Sequence, residues 1–267
     1  MRQSINWVFL GGFAYPKGMA CTRHVQNTID GLKAFPDCLL RVVIVRQSSR
    51  DNVLSGTHGG IPYETVLGDA LRARGILTAP VLGLRVRQAI RRSFQPDKRN
   101  LLHVYGPPAW DNLPAIREAR RLGFKVLFEI VEDDDAARDV SRSPWHRMAN
   151  AYIRRAIRDI TSWADGIVVI SSALEAKYRE RTRGAVPVHL KPVSVVMDRY
   201  PGGSPPHGQA TILFYAGSFG LKDGLPVLFD AFDQLASRRG HLRLVLTGKG
   251  SAEDMRRARA RIEASPH

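Results

Sequence analysis

The stretch from Ile212 to Gly250, ILFYAGSFGLKDGLPVLFDAFDQLASRRGHLRLVLTGKG, constrains this chain more than any other. It reads as an apolar strand, a glycine-rich turn, an amphipathic helix, a second strand and a second glycine turn. In an α/β protein that order opens a nucleotide-binding domain, because glycines let backbone N–H groups and a helix N-terminus come close to a phosphate. The chain ends at His267, so only one further helix follows. Two strands and two helices bury too little surface for an independent core, since even a complete domain of ~60 residues is marginal. The expectation is a second domain that is cut short, preceded by a larger one.

Composition narrows the class. With 44% hydrophobic and 24% charged residues over 267 positions, the chain has the make-up of a globular protein and room for two domains. No apolar run approaches the ~18 residues of a membrane span, and Ile5 to Leu10 is too short for a signal-peptide core, which predicts a cytoplasmic protein. Cys21 and Cys38 are too few for a disulfide framework or a zinc site and read as reduced thiols. The net charge is +15, carried mostly by arginine, and calls for a negative partner or a genome bias toward arginine. Arg85, Arg87, Arg91 and Arg92, then Lys98 and Arg99, then Arg117, Arg120 and Arg121 form basic clusters. They read as a solvated helix surface, with anionic lipid head groups or a polyanion as the functional alternative. Nucleic acid is disfavoured, because no aromatics interleave with the basic residues and no nucleic-acid-binding motif accompanies them.

Strands are expected at Ile5 to Leu10, Leu39 to Val45, Leu101 to Tyr105, Lys125 to Val131, Gly166 to Ile170 and Val186 to Leu190. Helices are expected from about Thr22 to Phe35, after the cap-like Asp111, Asn112 and Pro114, after Ser143 and Pro144, and from Ser172 to about Arg181. The third of these helices should bury Trp145, Met148, Tyr152 and Ile160, and Ser172 with Glu175 reads as a capping box. Gln47 to Gly60 reads as an irregular surface loop. Strands alternating with crossover helices imply a mostly parallel sheet covered on both faces. Tyr200 to Gln209, YPGGSPPHGQ, reads as a linker, dividing the chain into residues 1–199, 200–209 and 210–267.

In open parallel sheets ligands bind beyond the carboxyl ends of the strands. After the first strand come Gly11, Gly12, Phe13, Lys17, Gly18 and Met19, a turn with room for a phosphate or a sugar. The dinucleotide fingerprint is absent there, which disfavours hydride chemistry. The fourth strand runs into FEIVEDDD, with Glu129, Glu132, Asp133, Asp134 and Asp135. The acids at 132 to 135 repel one another, and Glu132 and Asp133 are candidates for a general base or an electrostatic stabiliser; an exposed acidic helix start is the other reading. Nothing in the spacing demands a metal. His103 lies on the alternation pattern of a core histidine. In the second glycine turn, Gly217, Ser218 and Lys222 suit a diphosphate, the lysine as a compact cation at the mouth of a helix.

These residues resemble a known family. GSFGLKDGLPVLFDAF is similar to the start of the second domain in family 4 glycosyltransferases of the GT-B fold, and YPKGMACTRHV, ADGIVVISSALEAKY, VHLKPVSVVMDRY and LRLVLTGKGS follow the family's order across essentially the whole chain. The resemblance implies a GT-B architecture: a complete N-terminal Rossmann-like domain on the acceptor side and an incomplete second one on the donor side. It also implies sugar transfer, generally with retention and without a bound metal, from a nucleoside-diphosphate-sugar substrate to a glycan or lipid-linked acceptor. By position, Lys222 with Ser218 would clamp the diphosphate, Gly217 would open that turn, Gly12 and Gly18 would shape the cleft near the phosphates, and Gly248 and Gly250 would line the base or ribose side. The chain departs from the family in three places. Ser218 stands where many relatives carry arginine, Glu132 stands where many place a histidine, and the family's acidic pair that grips the donor would fall after His267. The resemblance thus implies an enzyme of which this chain alone has little or no activity. Association with the inner face of an anionic membrane is a further expectation. A non-catalytic remnant or partner-binding subunit and a GT-B-like nucleotide-sugar epimerase are the alternatives.

Overall fold

A computed structural model describes residues 4–46, 52–68, 79–133, 144–199, 211–220 and 223–267. The chain divides into two compact units, Met1–Tyr200 and Pro201–His267.

The first unit runs β1 (Ile5–Gly11), α1 (Ala20–Leu32), β2 (Cys38–Arg46), β3 (Ser55–His58), β4 (Ile61–Leu67), α2 (Ala79–Ser93), β5 (Arg99–Tyr105), α3 (Leu113–Arg121), β6 (Lys125–Ile130), α4 (Pro144–Arg158), β7 (Gly166–Val169), α5 (Ser172–Thr182) and β8 (Val188–Leu190). The strands form one sheet in the order β3-β4-β2-β1-β5-β6-β7-β8. Every pairing is parallel except β3 with β4. Val42 to Val45 in β2 and Val8 to Leu10 in β1 are buried without interruption, as strands covered on both faces must be. On one face Val25 and Ile29 of α1 pack against Phe9, Val42 and Ile44. On the other, Val86 and Ile90 of α2, Ile116 of α3, Ile157 of α4 and Leu174 and Tyr178 of α5 join Val8, Leu10, Val104 and Phe128 in the larger core.

Four local readings change. The piece read as an irregular loop contains β3, which turns into β4 through Gly59 and Gly60 at φ +56° and +83°. Two adjacent left-handed residues make the tight turn whose twist suits a hairpin, and glycine meets that demand without strain. Residues 47–51 lie outside the described residues. Ser171, not Ser172, caps α5, accepting from the Leu174 amide, while Glu175 pairs with Arg179. Asn112 does not cap α3; it stitches the preceding loop, accepting from the Ala109 amide and donating to the Pro107 carbonyl. Ile160 is buried, but Tyr152 is exposed, and the side chains of Trp145 and Met148 lie outside the described residues.

The second unit contains β9 (Thr211–Ser218), α6 (Leu225–Ala236), β10 (Leu242–Lys249) and α7 (Ala252–Glu263). The two strands are parallel, with Gly217 opposite Gly248. Leu225, Phe229 and Ala258 form its small core with Tyr215, Leu244 and Leu246, while Ile212, Phe214 and Val245 face outward and are exposed. Ser251 and Asp254 close a capping box at the start of α7. The stretch read as a linker, Tyr200 to Gln209, lies outside the described residues.

Candidate functional site

The strand order reverses direction at β1. The chain leaves β1 through α1 toward β2, and it returns through α2 to place β5 on the other side. That reversal opens a crevice beyond the carboxyl ends of β1 and β5. The loop from Gly12 to Met19 fills its rim and is held by side chains. Asn52 brackets Lys17, accepting from its amide at 3.0 Å and donating to its carbonyl at 2.8 Å, and Gln26 donates to the Pro16 carbonyl at 2.8 Å. Thr22 donates to the Ala14 carbonyl. A Cβ added at Gly18 would lie 2.0 Å from the Thr22 hydroxyl, so this glycine is required by the loop's own packing. A Cβ added at Gly12 would meet nothing within 4 Å. Helix α1 starts from Met19 without a side-chain cap.

Beneath this rim lies a cluster of ionisable groups around Glu129, whose side chain is 0% exposed. His24 Nε2 from the second turn of α1 is 2.7 Å from Oε1, and Lys191 Nζ, just after β8, is 2.6 Å from the same oxygen. Lys191 also donates to Thr28 Oγ1 at 2.7 Å. His103 Nδ1 accepts from Trp7 Nε1 at 3.2 Å, which leaves the proton on Nε2, 3.1 Å from Glu129 Oε2. That last contact has ion-pair distance, but its angle leaves both atoms short of a full hydrogen bond. Burial pushes the Glu129 carboxyl up, yet the two histidines and the Lys191 charge outweigh it and hold the group far below the usual carboxylate range. A cleft of about 390 Å³ opens beside the cluster, lined among others by Trp7, Thr28, His103, Leu127, Lys191 and Val195.

Glu132 and Asp133 stand apart from this cluster, exposed at the carboxyl end of β6. Asp133 pairs with Lys177 of α5. The Tyr105 hydroxyl is pushed up first by burial, then by the charges of Cys21, Glu129 and Glu132, which places Glu132 within electrostatic reach of the rim. Asp134 and Asp135 lie outside the described residues. Among the described residues no group of three His, Cys, Asp or Glu side chains is placed to hold a metal ion.

In the second unit the two glycine turns lie side by side at the carboxyl ends of β9 and β10, joined by the Phe219 amide donating to the Lys249 carbonyl. A Cβ at Gly248 would fall 1.7 Å from the Gly217 carbonyl oxygen, and one at Gly217 would fall 2.8 Å from the Tyr215 hydroxyl. A Cβ at Gly250 would lie 2.9 Å from that of Asp254. Ser218 closes the first turn, donating to Asp223 at 2.6 Å and accepting from the Gly220 amide at 3.2 Å. Gly224 precedes α6 in the left-handed region, φ +72°. Lys222 lies outside the described residues. Gly12 and Gly18 thus belong to the rim of the first unit, and Gly217, Ser218, Gly248 and Gly250 come together in the second.

Sequence reading did not single out His24, Lys191 or Glu129's partnership with His103. One signal was present: Glu129 stands between Phe128 and Ile130 inside a strand, where a carboxylate persists only if paired.

No family model matches the chain, and no curated protein matches it. Solved structures match its fold. The sucrose-phosphate synthase from Thermosynechococcus elongatus shares 15% identity at a TM-score of 0.71, over 98% of this chain and 67% of its own. Anabaena HepE in complex with UDP-glucose shares 14% at 0.64, over 97% of this chain and 66% of its own. A UDP-N-acetylglucosamine 2-epimerase shares 9% at 0.53, over 99% of this chain and 67% of its own. The chain therefore spans about two thirds of the length of each. The likeness establishes the fold, α/β of the GT-B type.

Proposed function

We propose that this chain is part of a glycosyltransferase of the family 4 kind, moving a sugar with retention from a nucleoside-diphosphate-sugar to a glycan or lipid-linked acceptor. The observation that carries the reading is the pair of adjacent glycine turns at the carboxyl ends of β9 and β10, where Gly217 and Gly248 face each other without room for side chains. Backbone N–H groups offered there, together with Lys222, which precedes α6 in the sequence, would suit a diphosphate whose charge grows as the sugar departs. The open rim at Gly12 would keep the cleft open near the phosphates, and on the acceptor side Glu132 and Asp133 would act electrostatically or as a base. The donor is a substrate, and the reading assigns no resident cofactor or metal. A lipid-linked acceptor would be met by a protein peripheral to a membrane; among the described residues no helix is long and apolar enough to cross one.

Calorimetric titration with UDP-glucose and other nucleoside diphosphate sugars tests this, using the folded chain and Lys222→Ala. Binding by the parent that the variant loses supports the reading. A folded chain that binds none of the panel overturns it and favours a non-catalytic subunit. The likeness to the epimerase favours a second reading, which would prevail if the chain altered a sugar nucleotide with no acceptor present.

A further inference from the structure

The proposed transfer leaves the ionisable groups around Glu129 without a task. A buried carboxylate needs one cation to balance it, and Lys191 supplies that charge at 2.6 Å. His24 is therefore not required for neutrality, yet the second turn of α1 aims its Nε2 at the same oxygen, 2.7 Å away. An ionised carboxylate oxygen only accepts, so in the neutral ring the proton is assigned to Nε2 and Nδ1 carries the lone pair. Lys191 Nζ comes within 3.3 Å of Nε2 because both groups converge on one oxygen, and it donates to Glu129 and to Thr28 Oγ1.

The two histidines of the cluster differ in what remains open. His103 spends both nitrogens inside the fold, one on Trp7 and one facing Glu129. His24 is only 7% exposed, and its contacts run through Nε2, so among the described residues Nδ1 has no hydrogen-bond partner. Nor is that atom sealed in: the enclosed polar atoms that lack a partner include His103 Nε2 and Glu129 Oε2 but not His24 Nδ1. His24 does not line the cleft at Trp7 and Leu127. Its ring leans instead on Tyr105 at the carboxyl end of β5, centroids 5.9 Å apart, and Tyr105 meets Phe13 of the rim loop at 5.6 Å. The open atom therefore faces the crevice beyond β1 and β5.

We infer that His24 Nδ1 accepts a hydrogen bond from a hydroxyl group of a sugar seated in this crevice, with Glu129 as the positioning residue that fixes the tautomer. A neutral acceptor calls for an O–H or N–H donor and has no attraction for a phosphate or carboxylate oxygen. The Lys191 charge, 3.3 Å from the same ring, tells against an ammonium donor. The half-buried Tyr105 beside it offers a flat apolar wall for the C–H face of a sugar ring. The inference names an acceptor-side group for the proposed transfer and rests on that reading for the choice of a sugar.

Two amide replacements separate recognition from architecture. His24→Gln keeps a donor for Glu129 but loses the lone pair on the crevice side, whereas His24→Asn keeps polar atoms near Nδ1 and loses the bond to Glu129. Methyl glycosides of the common hexoses and hexosamines serve as probes of the full chain, followed by long-range nitrogen–proton spectra of the histidine rings at about pH 8, where an unperturbed imidazole is neutral. The His24 signals are those missing from His24→Gln. In the parent the ring should be protonated at Nε2, and a glycoside that binds should shift the Nδ1 resonance. His24→Gln should melt with the parent and bind that glycoside about 3–10-fold more weakly, the loss of one hydrogen bond. His24→Asn should melt lower. Glu129→Gln should let the ring populate the other tautomer, a spectroscopic change that lost stability alone does not produce. A parent ring protonated at Nδ1, a parent whose His24 responds to none of the glycosides, or equal affinity in parent and His24→Gln would each overturn the inference. Calorimetry with UDP-glucose on the same samples separates the two readings: glycoside binding at His24 without donor binding keeps this inference and removes the transferase, and donor binding with a silent His24 does the reverse.

Discussion

Replacing Glu129 by glutamine keeps its shape and removes its charge, which isolates what the buried carboxylate does. In the parent, Oε1 lies 2.6 Å from the Lys191 ammonium and 2.7 Å from His24 Nε2, with the group wholly enclosed. At an effective dielectric of ~20, unit charges at that 2.6 Å separation attract by about 6 kcal/mol, and desolvation of the carboxylate cancels a large part of it. Loss of one partner from a buried pair typically costs about 3–5 kcal/mol, because the other charge is stranded. Lys191 retains 31% exposure and can turn toward water, so the lower end applies, about 3 kcal/mol. For a unit of this size that corresponds to a fall in Tm of roughly 6–12 °C. All four tryptophans, Trp7, Trp110, Trp145 and Trp163, lie in the first unit, so their fluorescence during urea or thermal unfolding reports on that unit alone. Lys191→Met supplies the second arm of a double-mutant cycle. If the pair acts as described, the double variant recovers at least about 1 kcal/mol relative to additivity. A Glu129→Gln variant within about 0.5 kcal/mol of the parent, or strictly additive variants, would refute the reasoning.

Two further outcomes follow from the same structure. Both Glu129 and Glu118 have carboxyls held below their ordinary range, Glu118 at about 2 through its hydrogen bonds to Arg91 and Arg121, and Glu129 through His103, His24 and Lys191. A depressed folded-state pKa gives stability that is complete above the unfolded value of ~4.3 and is lost as the pH falls toward the folded value. Stability should therefore decline progressively below about pH 5, and Glu129→Gln should flatten that acid limb; parallel limbs for parent and variant would contradict the assignment. The glycines should separate by function: Gly248→Ala, whose Cβ would fall 1.7 Å from a carbonyl oxygen, should destabilise the second unit by about 1–3 kcal/mol. Gly12→Ala, with nothing within 4 Å, should change stability by less than about 0.5 kcal/mol, with both variants read by hydrogen exchange resolved along the chain.

The parallel sheet was legible because its central strands are buried on both faces and so read as unbroken apolar runs; VVIV in β2 and VFL in β1 leave little choice. What was not legible depended on contacts distant in sequence. β3 is short and exposed along its length, so no alternation marks it, and only the Gly59–Gly60 pair hints at a hairpin. Asn112 looks like a helix cap from its neighbours, but its amide is taken by the loop before it. The Glu129 cluster joins residues 24, 103 and 129, on three different elements, with residue 191 just after a fourth, and no local pattern relates them. His103 did read as a core histidine from strand alternation, and it is 2% exposed, but alternation cannot name the carboxylate beside it.

Gly18, Gly217, Gly248 and Gly250 each stand where a Cβ would collide with the chain itself, so their presence is accounted for before any ligand is considered. Gly12 alone among the site glycines borders open space. A glycine fixed by packing can still serve a ligand indirectly, by bringing two backbone turns together so that their N–H groups converge. In the second unit the close approach of Gly217 and Gly248 sets the two turns side by side. In the first unit the logic reverses, because a side chain at Gly12 would meet nothing within 4 Å. A larger residue at Gly12 should therefore weaken a ligand in that crevice while leaving the fold intact, whereas substitution at Gly248 acts through the fold first.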